Sequence, residues 1–280
     1  MSSKIYFSDK NKKSMSFHVT RGVSSLMAKF APKMSLNATR KLLLTPAAGR
    51  KEVAVPQQMS RHKLDTPYGA LNLVEGGEGP RLVFTHGWSG GVSQFYPLMQ
   101  KVIDEGFSVV GFDHFGHGKS AGKFANLPLF IKGLKHVLAE YEDEQIRGIV
   151  SHSMGTISAV NATCDAKHVM IAPTFDFYNS FQERIYSTGI TDKLVDRLLN
   201  EVETEHDMVF KSLQAENHLA KQSQLLMVHD KEDKYAPYQH TLAQVEKHSH
   251  ASLHSTQGQG HGRVINSPQT WQAIRQLIDI

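Results

Sequence analysis

The chain has 280 residues, 40% hydrophobic and 21% charged, with a net charge of +4, a composition that suits one large core, with or without an inserted subdomain. No stretch approaches the ~18 consecutive apolar residues that cross a bilayer, and the opening MSSKIYFSDKNKKSMSF has charge but no apolar block behind it, so no secretory leader is expected. The single cysteine, Cys164, excludes an internal disulfide framework and points to a reducing cytoplasm.

The charge is unevenly placed. Residues 1–51 hold eleven Lys and Arg against Asp9 alone, a net +10, which leaves −6 for the remainder. Such a lead could meet anionic lipid, nucleic acid or an acidic partner, but it has no pattern that reads RNA or DNA, so no nucleic-acid partner is expected. The plainer expectation is an extension over residues 1–60, partly helical, whose apolar residues clamp onto the main domain. Those residues include Val23, Leu26, Met27, Phe30, Leu36 and Leu42 to Leu44, in short helices from about Phe17 interrupted by Pro32, Pro46 and Pro56.

A strand–helix alternation follows. Leu71 to Val74 is a weak strand, and Arg81 to Thr85 a short apolar one that ends in HGWSGG. Gln94 to Glu105 has helical spacing and stops at Gly106, and Phe107 to Phe112 is a buried strand. Leu127 to Tyr141 is an amphipathic helix with Pro128 in its first turn, and Ile146 to Val150 a strand that enters SHSMG. Cys164, in a helix-like run after that motif, is expected to be a buried thiol. His168 to Ile171, Leu225 to Val228 and Ser252 to Ser255 continue the strands, and Trp271 to Ile280 closes the chain as a helix. Continuous apolar strands alternating with helices predict an α/β domain over residues 61–280, with a mostly parallel sheet of about eight strands covered on both faces. Residues 174–220 break the rhythm. This polar, helical stretch far exceeds the usual connection of ~2–6 residues and predicts a cap over a site.

The chemistry concentrates at Ser151-His152-Ser153-Met154-Gly155. A strand running into a serine with small residues two positions to either side, then a helix, is the nucleophile-elbow pattern G-x-S-x-G, here with Ser151 in the first glycine position. The sharp turn needs small flanks because the backbone folds back on itself. An ordinary strand–helix junction would demand small residues too, so the order of the other motifs decides.

Those motifs are HGWSGG at His86 to Gly91, FDHFGHGKS at Phe112 to Ser120, VHDKEDKYAP at Val228 to Pro237 and GQGHGRVI at Gly258 to Ile265. In this order and strand context the chain resembles the α/β-hydrolase superfamily, in its serine-hydrolase branch, from about Leu71 to the C-terminus. It is most similar to a group of largely uncharacterised bacterial α/β hydrolases that share the HGW opening, the HD-x-x-D acid loop and the G-x-GH-x-R-x-I histidine loop. The resemblance implies Ser153 as nucleophile, Asp233 as the acid and His261 as the base. Asp230 and Glu232 rival Asp233, whose spacing to Pro237 fits the family pattern better. It implies backbone amides of Trp88 and Met154 as the oxyanion hole. Asp113, His114 and His117 are metal-type side chains, but the loop lacks a further ligand set and its glycines read as shaping a tight turn. No cofactor or metal is implied.

The expected reaction is hydrolysis of a carboxylic ester or thioester, with a small acyl molecule as partner, through an acyl-enzyme. The same triad supports other acyl-transfer and carbon–carbon hydrolase activities, and a non-catalytic binding module is the alternative from another class. Phe175, Phe177, Tyr178, Phe181 and Tyr186 either line an acyl pocket or form the cap's own core. Contact of residues 1–51 with a membrane surface is a third reading.

Overall fold

In the computed structural model, which describes residues 15–47, 52–142 and 145–280, eight strands form one sheet in the order β1-β2-β4-β3-β5-β6-β7-β8. They are β1 (Met59–Leu64), β2 (Leu71–Gly76), β3 (Arg81–Thr85), β4 (Ser108–Asp113), β5 (Ile146–His152), β6 (Lys167–Ile171), β7 (Gln224–Asp230) and β8 (Ala251–Thr256). β2 is antiparallel to both β1 and β4, and every other neighbouring pair is parallel. The expected mostly parallel α/β sheet with flanking helices is therefore present. The basic residues Lys4, Lys10, Lys12, Lys13, Arg50 and Lys51 lie outside the described residues.

Parallel strands need crossovers, and helices supply them on both faces. α3 (Tyr96–Asp104) and α10 (Pro268–Ile278) pack Leu98, Met99, Val102, Ile274 and Leu277 against Phe84, Val109, Val150 and Val228 on one face. On the other face, α4 (Leu127–Glu140) and α5 (Met154–Ala162) bring Phe130, Ile131, Leu134 and Ile157. α4 starts as the sequence predicts, with Pro128 in its first turn and the Asn126 side chain accepting from the Leu129 amide at 2.8 Å. α8 (Tyr238–Lys247) covers the β7–β8 edge. A short α9 (Gly260–Arg263) follows β8.

Between β6 and β7 the long insertion folds into α6 (Phe177–Tyr186), α7 (Asp192–His206) and short 3₁₀ turns. Two N-terminal helices, α1 (Met15–Phe30) and α2 (Pro32–Leu44), lie against it. Ser24 Oγ donates to the Gly189 carbonyl at 3.3 Å, Arg21 pairs with Asp192 at 3.4 Å, and Arg40 pairs with Glu201 and Glu205. Leu43 and Leu44 enter the same core as Leu194, Leu198 and Val202 of α7.

Three expectations are corrected. Cys164 is exposed, on a bend after α5 has ended, rather than a buried helical thiol. Val23, Leu26 and Phe30 do not clamp onto the domain; they face outward, while Leu36 and Leu42 to Leu44 face inward and Met27 is half-buried. The helix expected from Gln94 begins as a 3₁₀ turn at Val92–Phe95, and α3 proper starts at Tyr96 with proline in its first turn.

Candidate active site

The sheet delivers all four motifs to one end, because parallel strands share the same C-terminal edge. Ser153 follows β5 directly, at φ +53° and ψ −125°, a conformation that costs a non-glycine residue about 1–3 kcal/mol. Its amide donates to the Ile171 carbonyl at 3.0 Å, and its carbonyl accepts from the Thr156 amide at 2.9 Å, so both sides of the turn are held.

Two glycines make the turn feasible. A Cβ on Gly155 would lie 2.7 Å from the His86 and Thr85 carbonyl oxygens, and one on Gly87 would lie 2.7 Å from the Ser153 Cβ. The HGW turn therefore packs directly on the elbow. Ser151, in place of the usual glycine, is tolerated because its position is wholly buried and its hydroxyl donates to the Val169 carbonyl of β6 at 3.4 Å.

His261 meets Ser153 from the loop after β8. Its Nε2 lies 2.9 Å from Ser153 Oγ and its Nδ1 2.7 Å from Asp233 Oδ2. An ionised carboxylate only accepts, so Nδ1 carries the proton and Nε2 is left to accept from the serine hydroxyl. The Asp233 side chain is 0% exposed and the His261 side chain 17%, which places the carboxylate in the interior and the imidazole at the cavity wall. Burial alone would raise the Asp233 carboxyl. Hydrogen bonds from His229 and His261, with the Tyr235 amide, outweigh that and hold it well below the ordinary carboxylate range.

The rivals are placed elsewhere. Asp230 turns away from His261: its Oδ2 accepts from Thr256 Oγ1 at 2.7 Å and the Gln259 amide at 2.9 Å, and its Oδ1 from the Glu232 amide at 2.9 Å. The carboxylate thus ties the acid loop to the turn that carries His261. Glu232 is on the exposed side of the loop.

Two histidines to which the sequence motifs assign no role also meet Asp233 and His261. His229 Nε2 lies 3.2 Å from Asp233 Oδ2 and 3.1 Å from the Ala236 carbonyl; both partners accept, so Nε2 bears the proton. Its Nδ1 is 2.7 Å from Thr241 Oγ1, from which it accepts. His152 donates from Nε2 to the His261 carbonyl at 2.9 Å, and burial, with His261 adding, lowers its pKa to about 3. The signal for His229 was its place four residues before Asp233 at a strand end. His152 had none beyond adjacency to the serine.

The FDHFGHGKS loop is structural. Asp113 accepts from the Val92 and Lys119 amides and from Asn72 Nδ2 at 2.9–3.0 Å. His114 stacks on Phe130 at 3.7 Å, and His117 accepts from the Ser89 amide at 3.0 Å. Burial, with His86 adding, drives His114 well below its ordinary range and His117 to about 3. These three side chains are committed to neighbours rather than gathered around a common point.

Ser153 and His261 open onto a cavity of about 420 Å³. Its wall is mainly apolar: Leu44 from α2, Trp88, Leu127, Phe175, Phe177 and Phe181, then Leu198, Leu199 and Val202 of α7. Of the five cap aromatics, Phe175, Phe177 and Phe181 line the cavity, whereas Tyr178 and Tyr186 pack into the helical layer. Trp88 and Met154 both border it beside Ser153.

Comparisons with known proteins agree with this architecture. An esterase from Pyrococcus furiosus superposes with a TM-score of 0.64 at 17% identity, over 84% of this chain and 97% of its own. Est1E from Butyrivibrio proteoclasticus, with ferulic acid bound, gives 0.61 at 17%, over 78% and 98%. A propionate-bound esterase from Thermogutta terrifontis gives 0.61 at 13%, over 80% and 94%. No curated protein matches the sequence. Residues 80–224, from β3 through the elbow and the helical insertion to the start of β7, match the family described as serine aminopeptidase, S33. That segment is just over half of the sequence, so the chain belongs to the serine aminopeptidase S33 family of the α/β-hydrolase superfamily.

Proposed function

We propose that the protein is a serine esterase that cleaves carboxylic esters or thioesters of apolar acids through an acyl-enzyme on Ser153. The observation that carries this is the Ser153–His261–Asp233 relay, at 2.9 and 2.7 Å, facing an apolar cavity. Ser153 Oγ attacks the acyl carbonyl while His261 Nε2 takes its proton. Asp233 holds the tautomer and offsets the charge on the imidazolium. His261 then protonates the departing alkoxide or thiolate, and a water activated by the same ring releases the acid. Backbone amides of Trp88 and Met154 receive the oxyanion in this reading. It is supported by their position beside Ser153, by the start of α5 at Met154, and by the commitment of the Ser89 amide to His117.

An acyl substrate is favoured over the amino-terminal peptide that the family description suggests. An aminopeptidase must hold an α-ammonium group, which calls for a carboxylate. Among the described residues the cavity wall includes no Asp or Glu, and its charged side chain is the Arg184 guanidinium. The exposed free thiol at Cys164 fits a reducing compartment, and the cytoplasm is the proposed location. Among the described residues no helix is long and apolar enough to cross a membrane.

A fluorophosphonate probe followed by intact mass tests the reading. One adduct on the wild type, absent from Ser153→Ala, is expected, with turnover of p-nitrophenyl butyrate lost by at least ~10³-fold in the variant. No adduct on folded wild type, or equal labelling of the variant, would move the binding-module reading ahead.

A further inference from the structure

α1 is apolar on two faces. Ala28 packs into the core shared with the helical insertion, where Ser24 bonds the Gly189 carbonyl, and Phe17 and Met27 are half-buried. Met15, Val19, Val23, Leu26 and Phe30 recur at spacings of four, four, three and four, which at 100° per residue confines them to an arc of about 80°. All five face solvent, with Phe30 73% exposed and Leu26 60%. Met34, just past Pro32, extends the stripe at 60%. A helix hydrophobic on both sides is expected to be covered on both sides, and among the described residues only the inner side is.

We propose that this outer face docks the protein on an anionic lipid surface. Charge selects the occupant. α1 and α2 together carry Arg21, Lys29, Lys33, Arg40 and Lys41 and no acidic residue. Arg21 and Arg40 are turned toward Asp192, Glu201 and Glu205 of α7. Lys29 and Lys33 are exposed beside the stripe. An apolar stripe bordered by cations fits acyl chains beneath negative headgroups. Nucleic acid would satisfy the lysines but leave six large apolar side chains in water. A second copy would bury the stripe but oppose one lysine border to another. α7 links the surface to the cavity, since it holds Arg21 through Asp192 and lines the cavity with Leu198, Leu199 and Val202.

The test is co-sedimentation of the full chain with phosphatidylcholine vesicles, with and without 30% phosphatidylglycerol. The variants are a polar-stripe protein (Val19→Ser, Leu26→Ser, Phe30→Ser) and a charge-reversed one (Lys29→Glu, Lys33→Glu). All five positions are exposed, and the binding readout is independent of catalysis. The expected result is at least tenfold tighter binding of wild type to the anionic vesicles than to the neutral ones. The polar-stripe variant should lose at least tenfold, and the charge-reversed variant should lose the preference for anionic vesicles. Equal binding by wild type and the polar-stripe variant would overturn the proposal. So would no vesicle binding by a wild type that light scattering finds dimeric and the polar-stripe variant monomeric, which would assign the stripe to a second copy.

Discussion

At the scale of single residues, Asp233 is the most constrained group in the site. Oδ1 accepts from the Tyr235 and Ala236 amides at 2.7 and 3.1 Å, while Oδ2 serves both His261 and His229. Asp233→Asn presents an amide that can donate toward His261 Nδ1 and so favours the wrong imidazole tautomer. Turnover of a soluble ester should fall by ~10³–10⁴-fold with little change in KM, measured by steady-state kinetics on the purified variant. His229→Phe is a milder lesion. It removes one donor from a buried carboxylate and leaves the Thr241 hydroxyl without its acceptor, a charge-assisted bond worth about 1.5–3 kcal/mol. Chemical denaturation should show a loss of that size, and kcat should fall by ~10–100-fold while KM holds. An unchanged kcat in a variant destabilised by this amount would mean that His229 supports the loop but not the relay.

At the scale of elements, the cavity is roofed by parts that the sheet does not contain. Val202 is 1% exposed within α7 and borders the cavity opposite the sheet. Val202→Phe should shorten the accepted acyl chain: kcat/KM for a decanoate ester should drop at least ~10-fold relative to an acetate ester, against an overpacking cost of about 1–3 kcal/mol. A parallel drop for both esters would place the acyl group elsewhere. The elements differ in how openly the sequence announces them. β3, β5, β6 and β7 are buried on both faces, so LVF, GIV, VMI and LLMV are continuous apolar runs. β1 (MSRHKL) escaped notice because it pairs only with β2 at the sheet edge and exposes Ser60, Arg61 and Lys63, leaving no apolar alternation to find. α1 was legible as a helix but not in its orientation. Apolar residues on two faces satisfy the helical period equally well, and only packing against the Gly189 turn and Asp192 decides which face is inside. In the site, Ser153, Asp233 and His261 stood in glycine- and proline-marked loops. His229, by contrast, belongs to a strand end whose apolar pattern it simply interrupts.

Across the whole molecule, the buried histidines set a pH limit that no single site reveals. His114 and His168 are wholly buried, as is His117 nearly so, and His152 sits under the elbow. Burial lowers His117 and His152 to about 3 and His168 to about 4, and holds His114 well below its usual value. All four rings are therefore neutral in the native protein, while the unfolded chain protonates them below about pH 6.5. The unfolded state then binds more protons, so the stability present above pH 6.5 is lost as pH falls toward the folded values. At pH 5.5 each ring withdraws up to about 1.4 kcal/mol, or up to about 5 kcal/mol together, a large share of the 5–15 kcal/mol typical of a folded domain. Asp230 and Asp233 add nothing in this window, because both are held below the ordinary carboxylate range and their contribution fades only at lower pH. The urea midpoint should therefore fall clearly between pH 7.5 and 5.5. His168 provides the internal control, since it bonds Gln222 and Thr163 away from Ser153. His168→Gln removes its titration and should reduce the pH-dependent loss by about 1.4 kcal/mol, whatever its cost at neutral pH. A wild-type midpoint that does not move over this range would show that the histidines are not buried as neutral rings.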